Sequence, residues 1–355
     1  MTRLEKLLNR LDGCECDAFL LTSKANRQYA SSAPIAEGMA LISRRGCRYF
    51  TDSRYLEAAQ RSVRGFEILD VTREHPYPAR IEDAVRDWGV KMIGFEDGHL
   101  TAAELKKLEE KLSAKLIPAQ QEISAPRETK DPDELAMLRK AQNIADAAYL
   151  QLLPKIQVGM TEKELQAELI YLLYRNGAEG LSFSPIVISG ENTSLPHGVA
   201  GDKKLDYGDF VTMDFGCKLG GYCSDMTRTV ALGFVTPEMR KVYDTVLAAQ
   251  EAGMAATKAG VKCADADRAA RIVIEDAGYG EYFGHSYGHS IGLEVHEKPN
   301  CSPSDESILR EGVVCSAEPG IYLPGRFGVR IEDVVIVHAD GCESITAAPK
   351  NLQIL

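Results

Sequence analysis

The second part of this 355-residue chain repeats itself. Laid against itself at an offset of about 100 residues, the segment from Gly159 to Gly177 matches Gly260 to Gly278 with equal spacing. Each copy opens on a glycine after a long helical stretch, continues with amphipathic spacing and stops at a glycine suited to a left-handed cap. Thr161 and Glu164 give the first copy a capping box. Further on, the run from Gly208 to Gly216 aligns with that from Gly312 to Gly320, and an acid follows a strand-like stretch in both, Asp214 or Glu318. Each half then supplies a second acid, Asp225 after 11 residues and Glu332 after 14. His197 and His296 stand at roughly corresponding places upstream. A duplicated unit whose copies each carry two acids predicts a site on a pseudo-twofold axis, between the two halves.

Asp214 ends the apolar run 210–213, and Asp225 lies beside the strand-like run 227–230. Strands joined by Gly220-Gly221 bring both carboxylates to one face, because residues of matching parity share a side of a sheet. Buried like charges at such range do not all stay ionised unless a cation neutralises them. Taken singly, each acid reads as a solvated strand end. The set reads otherwise, because three of the seven histidines, His285, His289 and His296, fall within 12 residues of one glycine-rich segment. Four carboxylates and one imidazole suit Mn(II), Fe(II) or Co(II) better than a structural zinc, which prefers thiolate and histidine. Two divalent ions balance four negative charges, and carboxylates that bridge them acidify a shared water towards hydroxide, which is hydrolytic chemistry.

Composition closes off other classes. A net charge of -11 and a pI near 5.3 leave no basic surface for nucleic acid or an anionic membrane. No window approaches the roughly 18 apolar residues of a membrane span. The start spaces Leu4, Leu7, Leu8 and Leu11 like a short amphipathic helix rather than a signal peptide. A cytoplasmic location is therefore expected. Nine cysteines without regular spacing read as reduced thiols. Gly288-His-Ser-Ile-Gly292 matches the G-x-S-x-G elbow of serine hydrolases, with Asp333 and His338 following in order. Residues 293–299 alternate and meet a proline, so the helix an elbow needs does not follow.

From residue 17 to about 118, short apolar strands (18–22, 39–42, 48–51, 92–95) alternate with helices starting near Ser53, Tyr77 and Thr101, the pattern of a small α/β domain. Residues 43–46 read as a hairpin turn. The pattern lapses around residues 122–129, and Asp131-Pro-Asp-Glu134 then starts a helix running to about residue 155. The expected domains are residues 1–122 and 123–355.

At these acids the sequence resembles the pita-bread metallopeptidase superfamily, in its aminopeptidase P and prolidase branch, over nearly the full length. The matching motifs are Met213-Asp-Phe-Gly216, Ser224-Asp-Met-Thr-Arg228, Gly288-His-Ser-Ile-Gly292, Ala317-Glu-Pro-Gly320 and Arg330-Ile-Glu332. The resemblance implies a creatinase-like N-terminal domain, a duplicated catalytic domain, and metal ligands Asp214, Asp225, His289, Glu318 and Glu332. Two ions, Mn(II) first and Co(II), Fe(II) or Zn(II) otherwise, are bridged by Asp225 and Glu332. Asp214 binds one ion; His289 and Glu318 bind the other. A bridging hydroxide attacks the carbonyl before proline in a peptide with proline second. His197 and His296 contact that carbonyl and the tetrahedral intermediate. His285 walls the proline pocket, Glu318 shuttles the proton, and a homodimer is an open expectation.

Methionine aminopeptidases share the ligand order but usually lack a separate N-terminal domain and carry Gln where this chain has Arg330. Creatinase-like and binding-only relatives have lost the metal set. Prolidases often place an arginine just after His-Glu-x-Pro to hold a dipeptide's carboxylate; here the residue is Asn300, leaving Lys298 and Arg330 as the nearby cations. The expectation leans to an aminopeptidase P-type enzyme, with Xaa-Pro dipeptidase as the alternative.

Overall fold

A computed structural model describes every residue from Met1 to Leu355, as two compact units, Met1–Arg127 and Glu128–Leu355. The sequence-based boundary at 122/123 falls inside the helix Gln120–Ser124.

In the first unit the elements are α1 (Arg3–Leu11), β1 (Ala18–Leu21), α2 (Lys24–Ser31), β2 (Met39–Ser43), β3 (Gly46–Asp52) and α3 (Leu56–Ser62). They continue as β4 (Glu67–Val71), α4 (Tyr77–Trp88), β5 (Met92–Phe95), α5 (Ala102–Glu109), β6 (Lys115–Pro118) and α6 (Gln120–Ser124). They build one mixed sheet in the order β4-β3-β2-β1-β5-β6. Ser43 pairs with Gly46, so the predicted hairpin turn holds just two residues. Helix α3 starts at Leu56 rather than near Ser53, because Asp52 first closes a turn by accepting from the Arg54 N–H at 2.9 Å. Helix α2 was not anticipated: Ala25, Tyr29 and Ala30 are its only apolar residues, too few to mark a helical period, although seven of its eight residues are buried.

The second unit opens with α7 (Pro132–Leu152), whose Asp131 cap and Glu134 form the predicted capping box, and α8 (Glu162–Arg175). The strands β7 (Gly180–Leu181), β8 (Ile186–Ser189), β9 (Phe210–Phe215), β10 (Cys217–Leu219), β11 (Tyr222–Cys223) and β12 (Met226–Ala231) follow. The second copy is α9 (Pro237–Ala256), α10 (Cys263–Asp276), β13 (Gly288–Ser290), β14 (Glu297–Cys301), β15 (Val314–Ala317), β16 (Gly320–Leu323), β17 (Phe327–Arg330), β18 (Asp333–Val337) and β19 (Cys342–Ser344). Gly159, Gly177, Gly260 and Gly278 all take positive φ, between 87° and 104°. The repeat read from the sequence is therefore a repeat of backbone conformation.

Each copy packs a helix pair on an antiparallel strand pair, α7 and α8 by β9–β12, α9 and α10 by β15–β18, and each has its own apolar core. Asp225 and Glu332 each stand one residue before a strand, β12 and β18. The two strand starts meet: the Glu332 N–H donates to the Thr227 carbonyl at 3.1 Å. Arg228 fastens the junction. Its Nη2 donates to Asp333 Oδ1 and to the Ala348 carbonyl, both at 2.7 Å, and its Nη1 donates to the carbonyls of Thr227 and Glu332. Both Arg228 and Asp333 side chains are almost wholly buried.

Removing the guanidinium leaves Asp333 with Lys350 and Gln250 alone in the interior. Arg228→Met is expected to cost about 3–5 kcal/mol of unfolding free energy, the cost of breaking a buried pair from one side. Urea unfolding measures it; a loss under about 1 kcal/mol contradicts this role for Arg228.

Candidate active site

Strand pairing explains why the acids converge. In the register of β9 and β12, Asp214 lies opposite Thr227; in that of β15 and β18, Ala317, one residue before Glu318, lies opposite Asp333, one after Glu332. Asp214 lies within β9 rather than after it, and Asp225 just before β12. Between them the chain makes the β10–β11 hairpin, turned by Gly220 and Gly221 at φ 57° and 84°, a pair of left-handed positions that glycine fills without strain. Tight approaches hold the layout. A Cβ on Gly216 would stand 1.9 Å from the Ser224 carbonyl oxygen, and one on Gly288 2.0 Å from that of Ser316.

His289 is the hub. Its Nδ1 lies 3.2 Å from the Ser290 carbonyl, an acceptor only, so Nδ1 carries the proton and Nε2 presents a lone pair. That Nε2 stands 3.3 Å from Glu318 Oε1 and 3.6 Å from Asp225 Oδ2. Ligand atoms of Asp225, His289 and Glu332 all lie within 4.8 Å of one another. Asp214 is beside this trio, where its Oδ2 accepts from Arg330 Nη2 at 2.6 Å.

The acids are costly to keep charged. Burial, then the neighbouring Glu332, Asp214 and Glu318, push the Asp225 carboxyl well above the usual range. Burial and the charges of Glu318 and Asp214 do the same to Glu332. Burial raises Glu318 to about 7. Asp225 Oδ1 is buried without a hydrogen-bond partner. Burial also lowers His289, keeping its imidazole neutral. A neutral nitrogen lone pair facing carboxylate oxygens, with a further buried oxygen unpartnered, is an arrangement that divalent cations complete.

A second layer of side chains fixes the first. Thr227 Oγ1 donates to Glu332 Oε2 at 2.8 Å and accepts from Arg330 Nε at 3.1 Å. Ser316 Oγ donates to Glu318 Oε1 at 3.1 Å while accepting from the His289 N–H at 3.0 Å. Arg330 Nη1 donates to the Tyr322 hydroxyl at 2.8 Å, and that hydroxyl also meets His285 Nε2 at 2.8 Å. Nothing in the sequence singled out Tyr322 or Ser316. Thr227 and Arg228 were visible only as members of a motif.

A cavity of about 500 Å³ opens onto these groups. It brings together His197, His285, His289, His296, Glu318 and Arg330 with Asp214, Asp225 and Glu332. Phe183, Pro185, Ile186 and Val295 supply apolar wall. The His296 ring stands edge-on to His289 with centroids 4.4 Å apart. Burial lowers His285 to about 4, so it is a neutral wall at physiological pH. Asn300 lines the cavity and Lys298, exposed, does not. The serine-elbow reading fails here: Ser290 is fully buried with its Oγ on the Pro299 carbonyl, Asp333 is engaged by Arg228, and β14 follows where a helix is needed.

Comparison with known proteins identifies the family. The model of metallopeptidase family M24 matches residues 136–339, and that of the creatinase/prolidase N-terminal domain matches residues 3–129. The chain is 40% identical to the uncharacterised peptidase YqhT of Bacillus subtilis, over 99% of this chain and 100% of that one. It is 35% identical to a Xaa-Pro dipeptidase of Pyrococcus horikoshii, over 99% and 98%. Among solved structures, a Xaa-Pro dipeptidase from Bacillus anthracis superposes with a TM-score of 0.96 at 40% identity, covering 99% of both chains. An X-Pro aminopeptidase from Thermotoga maritima gives 0.93 at 37%, covering all of both. On these matches the chain belongs to metallopeptidase family M24, behind a creatinase/prolidase N-terminal domain, and is a metallo-exopeptidase.

Proposed function

We propose that the chain is a dinuclear exopeptidase of aminopeptidase P type, cleaving the bond before a proline at the second position of a peptide. The observation that carries the metal chemistry is the buried acid cluster around His289 Nε2. Asp225 and Glu332 would be shared by two ions, Asp214 would hold one, and His289 and Glu318 the other. An oxygen-rich set of this kind favours Mn(II). When bound, such ions supply Lewis acidity and a water acidified towards neutral pH.

The chain's own groups do the rest. Glu318 Oε1, steadied by the Ser316 hydroxyl, takes a proton and returns it to the leaving imino nitrogen. His197 and His296 donate to the carbonyl oxygen as negative charge develops there. His285 and the apolar wall receive the proline ring, whose nitrogen offers no N–H for an ordinary peptidase to bind. The Arg330 guanidinium is engaged with Asp214, Tyr322, Thr227 and the Pro196 carbonyl. Its role is to hold Asp214. With Asn300 in place of an arginine and Arg330 committed, the nearest cation is Lys298, whose Nζ stands 3.3 Å from the Asn300 amide at the cavity wall, and the lack of a guanidinium fork for a dipeptide's carboxylate favours longer substrates. Relatives described as Xaa-Pro dipeptidases support the alternative. Nine free thiols fit a reducing compartment, and no helix is long and apolar enough to cross a membrane.

Hydrolysis rates on Xaa-Pro and Xaa-Pro-Xaa peptides separate the readings; faster turnover of the bare dipeptide overturns the aminopeptidase assignment. Chelation is expected to abolish both activities, and a chelated enzyme at full speed contradicts the metal reading. Glu318→Gln is expected to lower kcat by about 10²-fold or more, with KM on the same peptides showing whether binding survives.

The metal-free protein has its own signature. Glu318 titrates at about 7 in the folded chain against about 4.5 unfolded, so in that window the folded state binds more protons. Stability is then present below about pH 4.5 and lost as pH rises through about 7. Asp225→Asn is expected to flatten this slope and stabilise the metal-free chain at neutral pH by about 1–3 kcal/mol. Thermal melts of metal-free protein across pH check both; stability that climbs from pH 5 to 7 contradicts the account.

A further inference from the structure

Between β8 and Gly201 the chain makes an excursion, residues 190–200, that carries His197 to the cavity. We propose that Glu162, at the start of α8, is the positioning residue for His197, clamping both feet of this loop with one buried carboxylate. The inference rests on the role given above to His197.

Glu162 is fully buried. Its Oε1 accepts from the Ser189 N–H at 2.7 Å, Ser189 Oγ at 3.1 Å and Asn192 Nδ2 at 3.0 Å, and its Oε2 accepts from the Gly201 N–H at 2.9 Å. One side chain thus joins the residue before the loop to the residue after it. The start of the loop packs on β17, with Thr193 and Ser194 buried, but its tip is held less firmly. Leu195 is 54% exposed and Val199 85%, so apolar burial does not pin the tip. Contacts beyond the loop come from the Gly328 N–H to Thr193 Oγ1 and from Arg330 to the Pro196 carbonyl. The clamp sets the feet and these set the crown.

The internal repeat supplies a control. Glu162 and Lys163 donate backbone N–H groups to the carbonyls of Lys203 and Gly201; Cys263 and Ala264 donate likewise to Ser307 and Asp305. Thr161 bridges Lys204 as Lys262 bridges Ile308. Cys263 is therefore the counterpart of Glu162, and its thiol meets that of Cys301. Ser189 pairs with Val211 and Ser290 with Cys315, each three residues before its acid, so the corresponding connection in that copy is residues 291–304, which carries His296 and forms β14. The acid occurs in the copy whose histidine-bearing connection is irregular, and a thiol stands in the copy whose connection is held by the pairing of β14 with β13.

All four partners of Glu162 are donors, so a carboxylate fits and an amide of the same shape turns one N–H against another. Glu162→Gln is expected to lower kcat/KM on a Xaa-Pro peptide about 10-fold to 100-fold, chiefly through kcat, as misplacement of a catalytic group does. Amide hydrogen exchange across residues 190–201 should quicken while exchange in α9 and α10 does not. The deciding measurement is the cycle with His197→Ala: if Glu162 acts through His197, the glutamine adds less than about twofold in that background. A loss that multiplies in full, or a Glu162→Gln enzyme at wild-type speed, overturns the proposal. A fast His197→Ala enzyme sinks the histidine's role and the proposal together, and is distinct from a slow His197→Ala beside an unaffected Glu162→Gln. If Glu162→Gln does not fold, Asn192→Ala, which removes one of the donors, carries the same cycle with an expected loss of about threefold to tenfold, and multiplicative losses again overturn the idea.

Discussion

Four carboxylates brought around the Nε2 of His289 repel one another, and much of the catalytic unit can be read as the means of holding them there. In a buried setting this repulsion opposes folding unless protons or cations intervene. The surrounding polar groups divide the task. Thr227 and Ser316 each give a hydroxyl proton to one acid, Arg330 gives a full charge to Asp214, and Arg228 ties the backbone beside Glu332 to the strand start beside Asp225. Asp225 Oδ1 is left unpartnered, which is the mark of a group reserved for a ligand.

Duplication is what makes this layout cheap to build. Each copy needs only a helix pair, an antiparallel strand pair and an acid at a strand start; the second copy then brings the complementary pair across the axis. The halves have diverged where substrate enters. The first has the irregular loop with His197 and its Glu162 clamp, while the second has His289 and His296 on and beside short strands and Cys263 where the first has Glu162.

Much of this was legible in the sequence because it is periodic or local. Glycines at equal spacing marked the repeat; Gly177 and Gly278 take the positive φ expected of helix caps, and Gly159 and Gly260 take it as well. Capping boxes at Asp131 and Thr161 marked helix starts. Helix α2 passed unread, since its eight residues are mostly polar and its burial comes from tertiary packing of polar side chains such as Asn26 and Arg27. The polar support was illegible for a different reason: Tyr322 reaches Arg330 and His285, and Glu162 reaches Ser189 and Gly201, through contacts set by tertiary register rather than by spacing. The sequence likewise offered Arg330 as a cation near the substrate, and its four hydrogen-bonding partners, set by tertiary register, left no mark in it.

The central claim is that the acids are balanced by two divalent ions sharing Asp225 and Glu332. Native mass spectrometry of the metal-free chain titrated with Mn(II) tests it most directly. The account predicts two ions bound per chain, with occupancy falling to one or none in Asp225→Asn and Glu332→Gln. A wild-type chain that saturates with no ion, or variants that keep both, contradicts it.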